Sequence, residues 1–402
     1  MTTGWQDLEL GDVVTLQRGF DLPSRQRRSG SVPIVSSSGT TGTHDEPRVD
    51  APGVVTGRYG TLGKVFFVNE PFWPLNTTLY VKDFHGNDPR FCFYFLQVQE
   101  LKTRGGAAAV PGVNRNVLHR LPVRRPLLPT QCKIASILSA YDELIERHTR
   151  RIEILEEMAQ RIYGEWFVDF RYPGHEDVPL RDSEIGQIPR GWELRRTSDL
   201  ISRGCLAIGD GYRAKNCELG NQGLPFVRIG DLRDDFTFDG VDRLVPASIA
   251  AAGSKVSRDG DCVVSTKGSV GRVLMVPTDS PRFVYSPQLS YWRLLDQTLL
   301  REYLISWMRG PDFIRQCAQV KNATDMADYV NLRDQRRMLI PVPPALIQQE
   351  FQSVASPLLV GVANLWQSIR AARDSRETLL PRLMTGEIDV EDLDIEVPGV
   401  LA

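Results

Sequence analysis

The fold is decided by one continuous stretch between Thr130 and Tyr163, which reads TQCKIASILSAYDELIERHTRRIEILEEMAQRIY. The stretch contains no glycine and no proline. Alternating steps of four and three residues place apolar side chains on one stripe, which is typical of a coiled-coil helix. Such a helix is roughly 55–60 Å long, because each residue adds about 1.5 Å, and it is too long to lie inside one small domain. The stripe consists of Ile134, Leu138, Tyr141, Ile145, His148, Ile152, Leu155, Ala159, Ile162 and Trp166.

A second helix with the same rhythm is predicted near the C-terminal end of the sequence. We expect a kink or a shortened first turn at Pro357 and Gly361, because an interior proline costs a helix about 3 kcal/mol. Gly386 is a candidate C-cap, and the acidic residues after Glu387 are expected to fray. The stripe of this helix consists of Leu358, Val362, Leu365, Ile369, Ala372, Arg376, Leu379 and Leu383.

The sequence around these helices repeats itself. Three segments recur in the same order: Gly4–Leu8 as Gly191–Leu194, Thr56–Val65 as Ser265–Val273, and Leu121–Val123 as Ile340–Val342. The second glycine-rich segment is interpreted as lacking the tyrosine and one glycine spacing of the first. The repeat predicts a mixed α/β (α+β) fold, in which two long antiparallel coiled-coil helices separate two similar globular domains around a pseudo-two-fold axis. The expected division is 1–129 and 171–344 for the domains (171–190 being a linker), 130–170 and 345–386 for the helices, and 387–402 for an acidic tail.

The composition is that of a folded globular protein. The 402 residues are 42% hydrophobic and 24% charged, enough for two or three domains. The six cysteines are scattered without a CxxC pair, which argues against a disulfide framework and a zinc ribbon. The sequence shows neither a secretory signal nor an apolar run of membrane-spanning length, so we expect a cytoplasmic protein.

The charge is balanced overall but uneven along the chain. A formal net charge of −2 excludes a uniformly basic nucleic-acid binder. Between Glu100 and Asp142, however, basic residues occur without any acidic one, and such a patch attracts phosphates. The alternative is a solvated surface whose charge is balanced by other parts of the fold. The basic residues of this patch are Lys102, Arg104, Arg115, Arg120, Arg124, Arg125 and Lys133.

The sequence carries no convincing catalytic or metal-binding motif, so we expect a chain that is not itself an enzyme. The segment from Gly57 to Lys64 fails as a phosphate-binding P-loop, because its glycine spacing is wrong and Val65 replaces the required hydroxyl. The histidines lack metal-ligand spacing, and no GxSxG nucleophile motif occurs. Asp88 with Glu100 and Lys102 loosely matches the metal site of a nuclease.

Loops that combine basic residues with serine, threonine and asparagine suit contacts to DNA phosphates and base edges. The alternative for each residue is ordinary turn chemistry, because these residue types are common in turns. The candidate DNA-binding residues are Ser36, Ser37, Ser38, Arg58, Tyr59, Thr61, Lys64, Asn76, Asn114 and Arg115 in the first half, and Arg228, Lys267, Ser269, Arg272, Gln288 and Lys321 in the second.

Taken together, these features resemble the specificity (S) subunits of type I restriction-modification systems. The resemblance extends over nearly the whole chain and rests on the order of several segments. These are the Gly-Trp start of each half, Ser36–Gly39, Gly57–Lys64, Val113–Asn116, Leu127–Gln131, Trp166–Phe170 and Leu379–Ile388.

The resemblance implies a non-catalytic subunit that recognises double-stranded DNA with a bipartite target. Each globular domain would read one half-site, and the helices would set the spacing and dock two methyltransferase (modification) subunits. No cofactor is expected on this chain, because S-adenosylmethionine, ATP and magnesium would bind the modification and restriction (motor) subunits. The expected partner or helix interface consists of Ile134, Leu138, Tyr141, Ile145, Ile152, Leu155, Trp166, Leu365, Ile369 and Leu379.

Two alternatives from other classes remain open. The first is a scaffold whose rod dimerises and whose domains bind protein, which predicts no salt-sensitive affinity for DNA. The second is a nuclease that uses Asp88, Glu100 and Lys102, which predicts metal-dependent cleavage by the purified chain.

Overall fold

A computed structural model of the chain describes residues 4–59, 61, 63–99, 113–232, 235–278, 280–321 and 329–395. The chain forms two compact units, Met1–Arg147 with Ser368–Ala402, and His148–Gln367. Each of the two long helices contributes one part to each unit. Among the described residues, no helix combines the length and apolar character needed to cross a membrane.

The first unit begins the chain with short strands and helices. Its elements are β1 (Trp5–Glu9), α1 (Leu10–Val13), β2 (Thr15–Arg18), β3 (Val32–Ser36), β4 (Gly39–His44), β5 (Gly53–Gly57), β6 (Val65–Val68), β7 (Trp73–Pro74), β8 (Thr78–Asp83), α2 (Pro89–Val98), α3 (Arg115–His119), β9 (Pro122–Pro126) and the start of α4 (Leu128–Tyr163).

The second unit contains the remaining elements. After a π-type turn at Gly164–Val168 they are β10 (Leu180–Ser183), β11 (Gly186–Pro189), β12 (Glu193–Arg196), α5 (Thr197–Ser202), β13 (Leu206–Asp210), β14 (Leu219–Gly220), β15 (Leu224–Val227), β16 (Arg243–Leu244), α6 (Pro246–Ala252), β17 (Cys262–Ser265), β18 (Val273–Met275), β19 (Val284–Tyr285), β20 (Leu289–Leu294), α7 (Arg301–Arg309), α8 (Pro311–Lys321), α9 (Leu332–Arg337), β21 (Leu339–Val342) and the start of α10 (Ala345–Met384).

The sheets of the two units have the same plan. In the first unit an antiparallel sheet has the order β2-β8-β5-β6, and in the second unit the corresponding order is β13-β20-β17-β18. A second sheet, of three strands in the first unit and four in the second, contains one parallel pair, β3 with β7 and β15 with β19. A third, two-stranded sheet pairs β1 with β9 and β12 with β21. The predicted fold class and its repeat are therefore confirmed.

The long helices pack antiparallel within each unit. In the first unit Ile134 and Leu138 of α4 share a core with Leu383 of α10, while Asp142 forms an ion pair with Arg376. Residue numbers therefore rise along one helix as they fall along the other.

The second unit shows the same arrangement with other residues. Phe167, just after α4, packs its ring 4.9 Å from that of Phe351. Further along, Leu155 lies so close to Gly361 that a Cβ at this glycine would be 3.3 Å from the leucine side chain. This close approach explains a glycine inside a helix, where it otherwise lowers stability.

Of the two outcomes expected at Pro357 and Gly361, the shortened first turn is wrong, and the kink stays a prediction. The helix runs without interruption from Ala345 to Met384, through both Pro357 and Gly361. Burial of Ala355 and Leu359 on either side of the proline stabilises the helical backbone there. Gly386 adopts a φ of +73°, in agreement with its expected place just after the helix.

The tail after α10 is not frayed as far as the structure describes it. Val390 is only 1% exposed and belongs to the core of the first unit. The Lys133 ammonium donates hydrogen bonds to the carbonyls of Glu391 and Leu393, at 2.6 and 2.9 Å. An apolar residue among acidic ones thus anchors the segment, and the acidic composition alone did not indicate this.

Replacing Val390 with alanine is expected to lower the free energy of unfolding of the first unit by about 1–3 kcal/mol, because a buried side chain is truncated. Leu393→Ala is the matched control: Leu393 is 48% exposed, so its truncation should change stability by less than about 0.5 kcal/mol. Hydrogen exchange of the first unit measures both. Equal effects from the two variants would contradict a docked tail.

Candidate nucleic-acid interface

Backbone hydrogen bonds bring together the separate loops of the first unit that were singled out in the sequence. The amide N–H of Arg58 donates to the carbonyl of Thr77 at 2.8 Å, and the carbonyl of Arg58 accepts from Val113 at 3.0 Å. The loop after β5 is therefore joined to the segment before β8 and to the segment before α3.

The β3–β4 turn also belongs to this group of loops, because Gly57 allows the turn to lie close to the loop after β5. A Cβ at Gly57 would lie 2.1 Å from the carbonyl oxygen of Thr61 and 3.3 Å from the Cβ of Ser37. Only glycine fits between the turn and the loop at this point. Four segments from distant parts of the first half thus form one surface.

Several predicted side chains are exposed on this surface. The guanidinium of Arg58 lies over the ring of Tyr59, 4.6 Å from its centroid, and Tyr59 is 37% exposed. Lys64, Arg115 and Ser38 are also exposed. None of the cations Arg58, Lys64 and Arg115 forms an ion pair with any other residue that the structure describes, so all three are available to phosphates or base edges.

Other predicted side chains are occupied within the protein. The buried Ser36 hydroxyl donates to the carbonyl of Gly39 at 3.0 Å and stabilises the β3–β4 turn. Asn76 donates to the Asp21 carboxylate, and Asn114 caps α3 by accepting from the amide of Asn116 at 3.0 Å. Asn114 is nevertheless exposed, whereas Ser36 is buried.

The basic patch of the sequence is largely broken up by the fold. Arg124 forms an ion pair with Asp7 at 3.3 Å, whereas Arg125 donates to the side-chain oxygens of Asn87 and Gln6. Lys133 binds the tail, as described above. Arg115 and Arg120 remain exposed without an ion pair to the described residues, and Lys102 and Arg104 lie outside them.

The second unit builds the same arrangement from different residues. The amide of Thr266 donates to the carbonyl of Gln288 at 2.9 Å, and the carbonyl of Thr266 accepts from Val330 at 3.0 Å. The Ser265–Arg272 backbone bond at 2.9 Å corresponds to the one between Gly57 and Lys64 at 3.4 Å. Thr266 is therefore the counterpart of Arg58, and Arg272 that of Lys64.

This correspondence shows that the two loops differ in composition but not in length. From Gly57 to Lys64 and from Ser265 to Arg272 the two loops have equal length. Gly268 and Gly271 both have positive φ, at +79° and +96°. Both expected differences are present, because Lys267 occupies the place of Tyr59 and Ser265 that of Gly57.

The predicted side chains of the second unit divide in the same way. Lys267 and Ser269 are exposed, and Gln288 is half-buried. The guanidinium of Arg228 pairs with Asp242 at 2.7 Å, while that of Arg272 donates to the carbonyl of Leu232. The Lys321 side chain lies outside the described residues.

Sequence reasoning missed two residues of the second surface. Asn331 caps α9 by accepting from the amide of Asp334 at 3.0 Å, as Asn114 caps α3. Tyr329, which is 43% exposed, pairs its backbone with that of Lys267. The signal for Asn331 was the repeat of Val113-Asn114 as Val330-Asn331, which the sequence comparison overlooked.

The apolar stripe of the helices is used inside the chain rather than at a partner surface. Ile134, Leu138, Ile152 and Ile369 are buried by the chain itself, which is compatible with the helix interface expected of them. The others are partly buried. These are Tyr141, Ile145, Leu155, Trp166, Leu365 and Leu379.

The candidate nuclease site is not supported by the position of Asp88. Its carboxylate accepts a hydrogen bond from the amide of Phe91 at 2.7 Å and so caps α2. Glu100 and Lys102 lie outside the described residues. Among the residues that are described, no three histidine, cysteine or acidic side chains are grouped as a metal site would require.

His119 connects α3 to β2 beneath the first surface. Its Nε2 accepts a hydrogen bond from the amide of Leu16 at 2.9 Å, which requires a neutral ring. Burial, and to a lesser degree the nearby Arg115 and His85, lower the pKa of His119 below its ordinary value of 6.5. Protonation would remove the acceptor for the β2 amide.

Lowering the pH below 6.5 is therefore expected to destabilise the first unit. Above this value His119 is neutral in the folded and unfolded chain. As the pH falls, the unfolded chain binds the proton first, so stability is lost until the pH reaches the lower folded-state pKa. The variant His119→Gln keeps an acceptor without titrating and should reduce the pH dependence of unfolding between about pH 7.5 and 5.5. An unchanged pH dependence in this variant would contradict the role of His119.

Comparisons with known proteins agree with this geometry. Residues 2–157 match the family described as "Type I restriction modification DNA specificity domain". The chain is 28% identical over 298 residues to the type I restriction enzyme MjaIX specificity subunit of Methanocaldococcus jannaschii, a region that spans 73% of this chain and 66% of that protein. The chain is therefore similar to type I restriction-modification specificity subunits.

Further specificity subunits show the same similarity. The HindI specificity subunit of Haemophilus influenzae is 23% identical over 352 residues, which span 73% of this chain and 74% of that protein. The crystal structure of the type I restriction-modification S subunit from M. genitalium superimposes with a TM-score of 0.62 at 14% identity, covering 96% of this chain and 97% of that one. The latter shows a shared fold. The predicted resemblance is thus confirmed.

Proposed function

We propose that this chain is the specificity subunit, and hence the non-catalytic, DNA-reading component, of a type I restriction-modification complex, and that each of its two units reads one half of a bipartite DNA target. The observation that carries the proposal is the repeated loop group. In both units the same backbone bonds join the loop between two antiparallel strands to two other segments, at Arg58 and at Thr266. Each group presents exposed cations beside hydroxyl and amide groups, as contacts to DNA require.

A basic side chain that already forms an ion pair within the protein can still bind DNA in this proposal. The Arg228–Asp242 pair is about half exposed, at 41% and 53% of the two side chains. Exposed pairs of this kind contribute only about 0–1 kcal/mol, so a DNA phosphate can replace the carboxylate at little cost.

Docking of two methyltransferase subunits is assigned to the outer side of the helices, since the inner stripe is buried. On α10, Leu346, Ser353, Pro357 and Val360 recur at seven-, four- and three-residue steps and are all exposed. Such a row lies on one face of a helix and offers apolar area to a partner helix. In this proposal S-adenosylmethionine, ATP and magnesium bind the partner subunits.

The proposal is tested by measuring the affinity of the complex with its methyltransferase for duplex DNA over a range of salt concentrations. Lys64→Ala should reduce the slope of log affinity against log salt by about 1, because one phosphate contact is lost. Lys82→Ala is the control, because Lys82 is also an exposed lysine but lies near the opposite end of β8 from Thr78 and the loop group. Affinity without salt dependence, or equal effects of the two variants, would contradict a DNA-binding surface and favour a protein scaffold.

A further inference from the structure

The backbone that carries Arg58 and Tyr59 is fixed before any ligand binds. The amides of both residues donate to the carbonyl of Thr77, at 2.8 and 3.2 Å, and the carbonyl of Arg58 accepts from Val113. The two side chains therefore leave the surface from a rigid position. Contacts from a preorganised group lose less entropy on binding than contacts from a mobile loop.

The guanidinium of Arg58 is oriented but not occupied. It lies 4.6 Å from the centroid of the Tyr59 ring, a distance at which a cation is attracted to the aromatic face. It forms neither an ion pair nor a side-chain hydrogen bond with any residue in the described parts of the chain. Its N–H donors are therefore free, and the ring limits the directions in which they point.

The second unit also places a cation beside a tyrosine in the corresponding loop, but with different residues. Thr266, the counterpart of Arg58, is buried, and its hydroxyl donates to the carbonyl of Gln288 at 3.1 Å. The cation is instead the next residue, Lys267, whose backbone pairs with that of the exposed Tyr329. Directly paired residues have Cβ atoms about 4.5–5.5 Å apart, so a lysine and a tyrosine again lie side by side.

We propose that Arg58, positioned by the ring of Tyr59, is a specificity-determining residue that reads a guanine in the half-site of the first unit. A guanidinium held in one plane can donate two parallel hydrogen bonds to O6 and N7 of guanine, which no other base offers in the major groove. The inference rests on the proposed function, since it names the base contact made at the same surface. Lys64, by contrast, is an exposed point charge at the end of the loop and would contact a phosphate.

The test uses the complex with its methyltransferase and a set of duplexes in which each base pair of the target is replaced in turn. The wild-type complex should bind roughly 5- to 150-fold more weakly when one particular guanine of the first half-site is replaced. Arg58→Ala should abolish discrimination at that guanine alone, and Arg58→Lys should retain affinity while losing most of the discrimination. Lys64→Ala should weaken binding to every duplex equally.

Tyr59 is tested as a positioning residue with a conservative variant. Tyr59→Phe keeps the ring and should keep the discrimination at the guanine, whereas Tyr59→Ala should reduce it without changing the salt dependence of binding. Loss of discrimination in both variants would show that the hydroxyl, not the ring, matters and would overturn the positioning role.

Two failures are distinguishable. If the wild-type complex discriminates between duplexes but Arg58→Ala weakens binding to all of them equally, as Lys64→Ala does, the inference about Arg58 is wrong and the proposed function stands. If the wild-type complex binds all duplexes equally well, the proposed function itself fails.

Discussion

Replacing Arg293 with methionine is expected to lower the free energy of unfolding of the second unit by about 3–5 kcal/mol, because one partner of a buried ion pair is removed. The guanidinium donates from Nε and Nη2 to the two carboxylate oxygens of Asp261, at 2.7 and 2.6 Å. Both side chains are buried. The variant would leave the Asp261 charge in the interior without a cation.

A neighbouring tyrosine increases the cost of this change. The Tyr285 hydroxyl donates to Asp261 at 2.6 Å, and burial together with this carboxylate raises the pKa of Tyr285, so the hydroxyl stays protonated. One hydroxyl donor cannot neutralise the remaining carboxylate. Because Asp261 precedes β17 and Arg293 lies in β20, the loss would loosen β17, which leads into the loop at Thr266, and β20, which follows Gln288.

Arg228→Met is the matched control for this prediction. It also removes an arginine from an ion pair in the second unit, but the pair with Asp242 is exposed, so the loss should be below about 1 kcal/mol. Hydrogen exchange of the β17 and β20 amides, followed by mass spectrometry, measures both variants. Comparable losses of unfolding free energy in the two variants would show that the contribution of the Asp261–Arg293 pair to stability does not depend on its burial.

Replacing Gln131 with leucine is expected to lower the free energy of unfolding of the first unit by about 2–4 kcal/mol, because several buried polar groups lose their partner. The Gln131 side chain is fully buried, and its amide donates to Asn87 Oδ1 and to the carbonyl of Pro126, both at 2.9 Å. Its carbonyl accepts from the amide of Asp88 at 3.1 Å. This glutamine thus attaches the first turn of α4 to the segment that begins α2.

The second unit contains an equivalent glutamine, so the same experiment can be done there. Gln348, in the first turn of α10, donates to the carbonyls of Pro343 and Thr298 and accepts from the amide of Leu300 at 2.9 Å. Gln348→Leu should cause a similar loss confined to the second unit. Gln99→Leu is the control, since this half-buried amide bonds only to the carbonyl of Phe95 among the described residues and its loss should cost less than about 1 kcal/mol.

Stability of each unit is best followed by hydrogen exchange, because the unfolding of two units need not be a single two-state transition. A loss of stability confined to the first unit in Gln131→Leu, and to the second unit in Gln348→Leu, would support the role of these glutamines in attaching the starts of α4 and α10. A loss of the same size in Gln99→Leu would contradict it.

The helices and the repeat could be predicted from the sequence because both depend on local patterns. The four–three spacing of apolar residues around Ile134 and Leu138 predicts a helix regardless of which residues pack against it. The duplicated glycine-rich loops indicate equivalent positions in two domains. The same local reasoning failed at Pro357, where burial of the surrounding turns outweighs the preference of one residue. It failed at Val390 for a related reason, since the contact that orders the tail is made with residues far away in the sequence.

The candidate site could be predicted only as a set of segments. The residues near Ser36, Arg58, Asn76 and Asn114 do meet in the structure, but the sequence did not show which of their side chains are already occupied. The Ser36 hydroxyl serves its own turn, and the guanidinium of Arg228 has a carboxylate partner fourteen residues away. Such pairings depend on turn geometry and strand register, which residue types alone do not determine.

The central claim is tested most directly by mapping methylated adenines in the genome of a host that expresses this chain with its methyltransferase, before and after residues 1–125 are exchanged for those of another specificity subunit. The proposed function predicts a bipartite methylated motif in which one half changes with the exchange and the other half stays the same. The absence of any bipartite motif, with the methyltransferase bound and active, would contradict it.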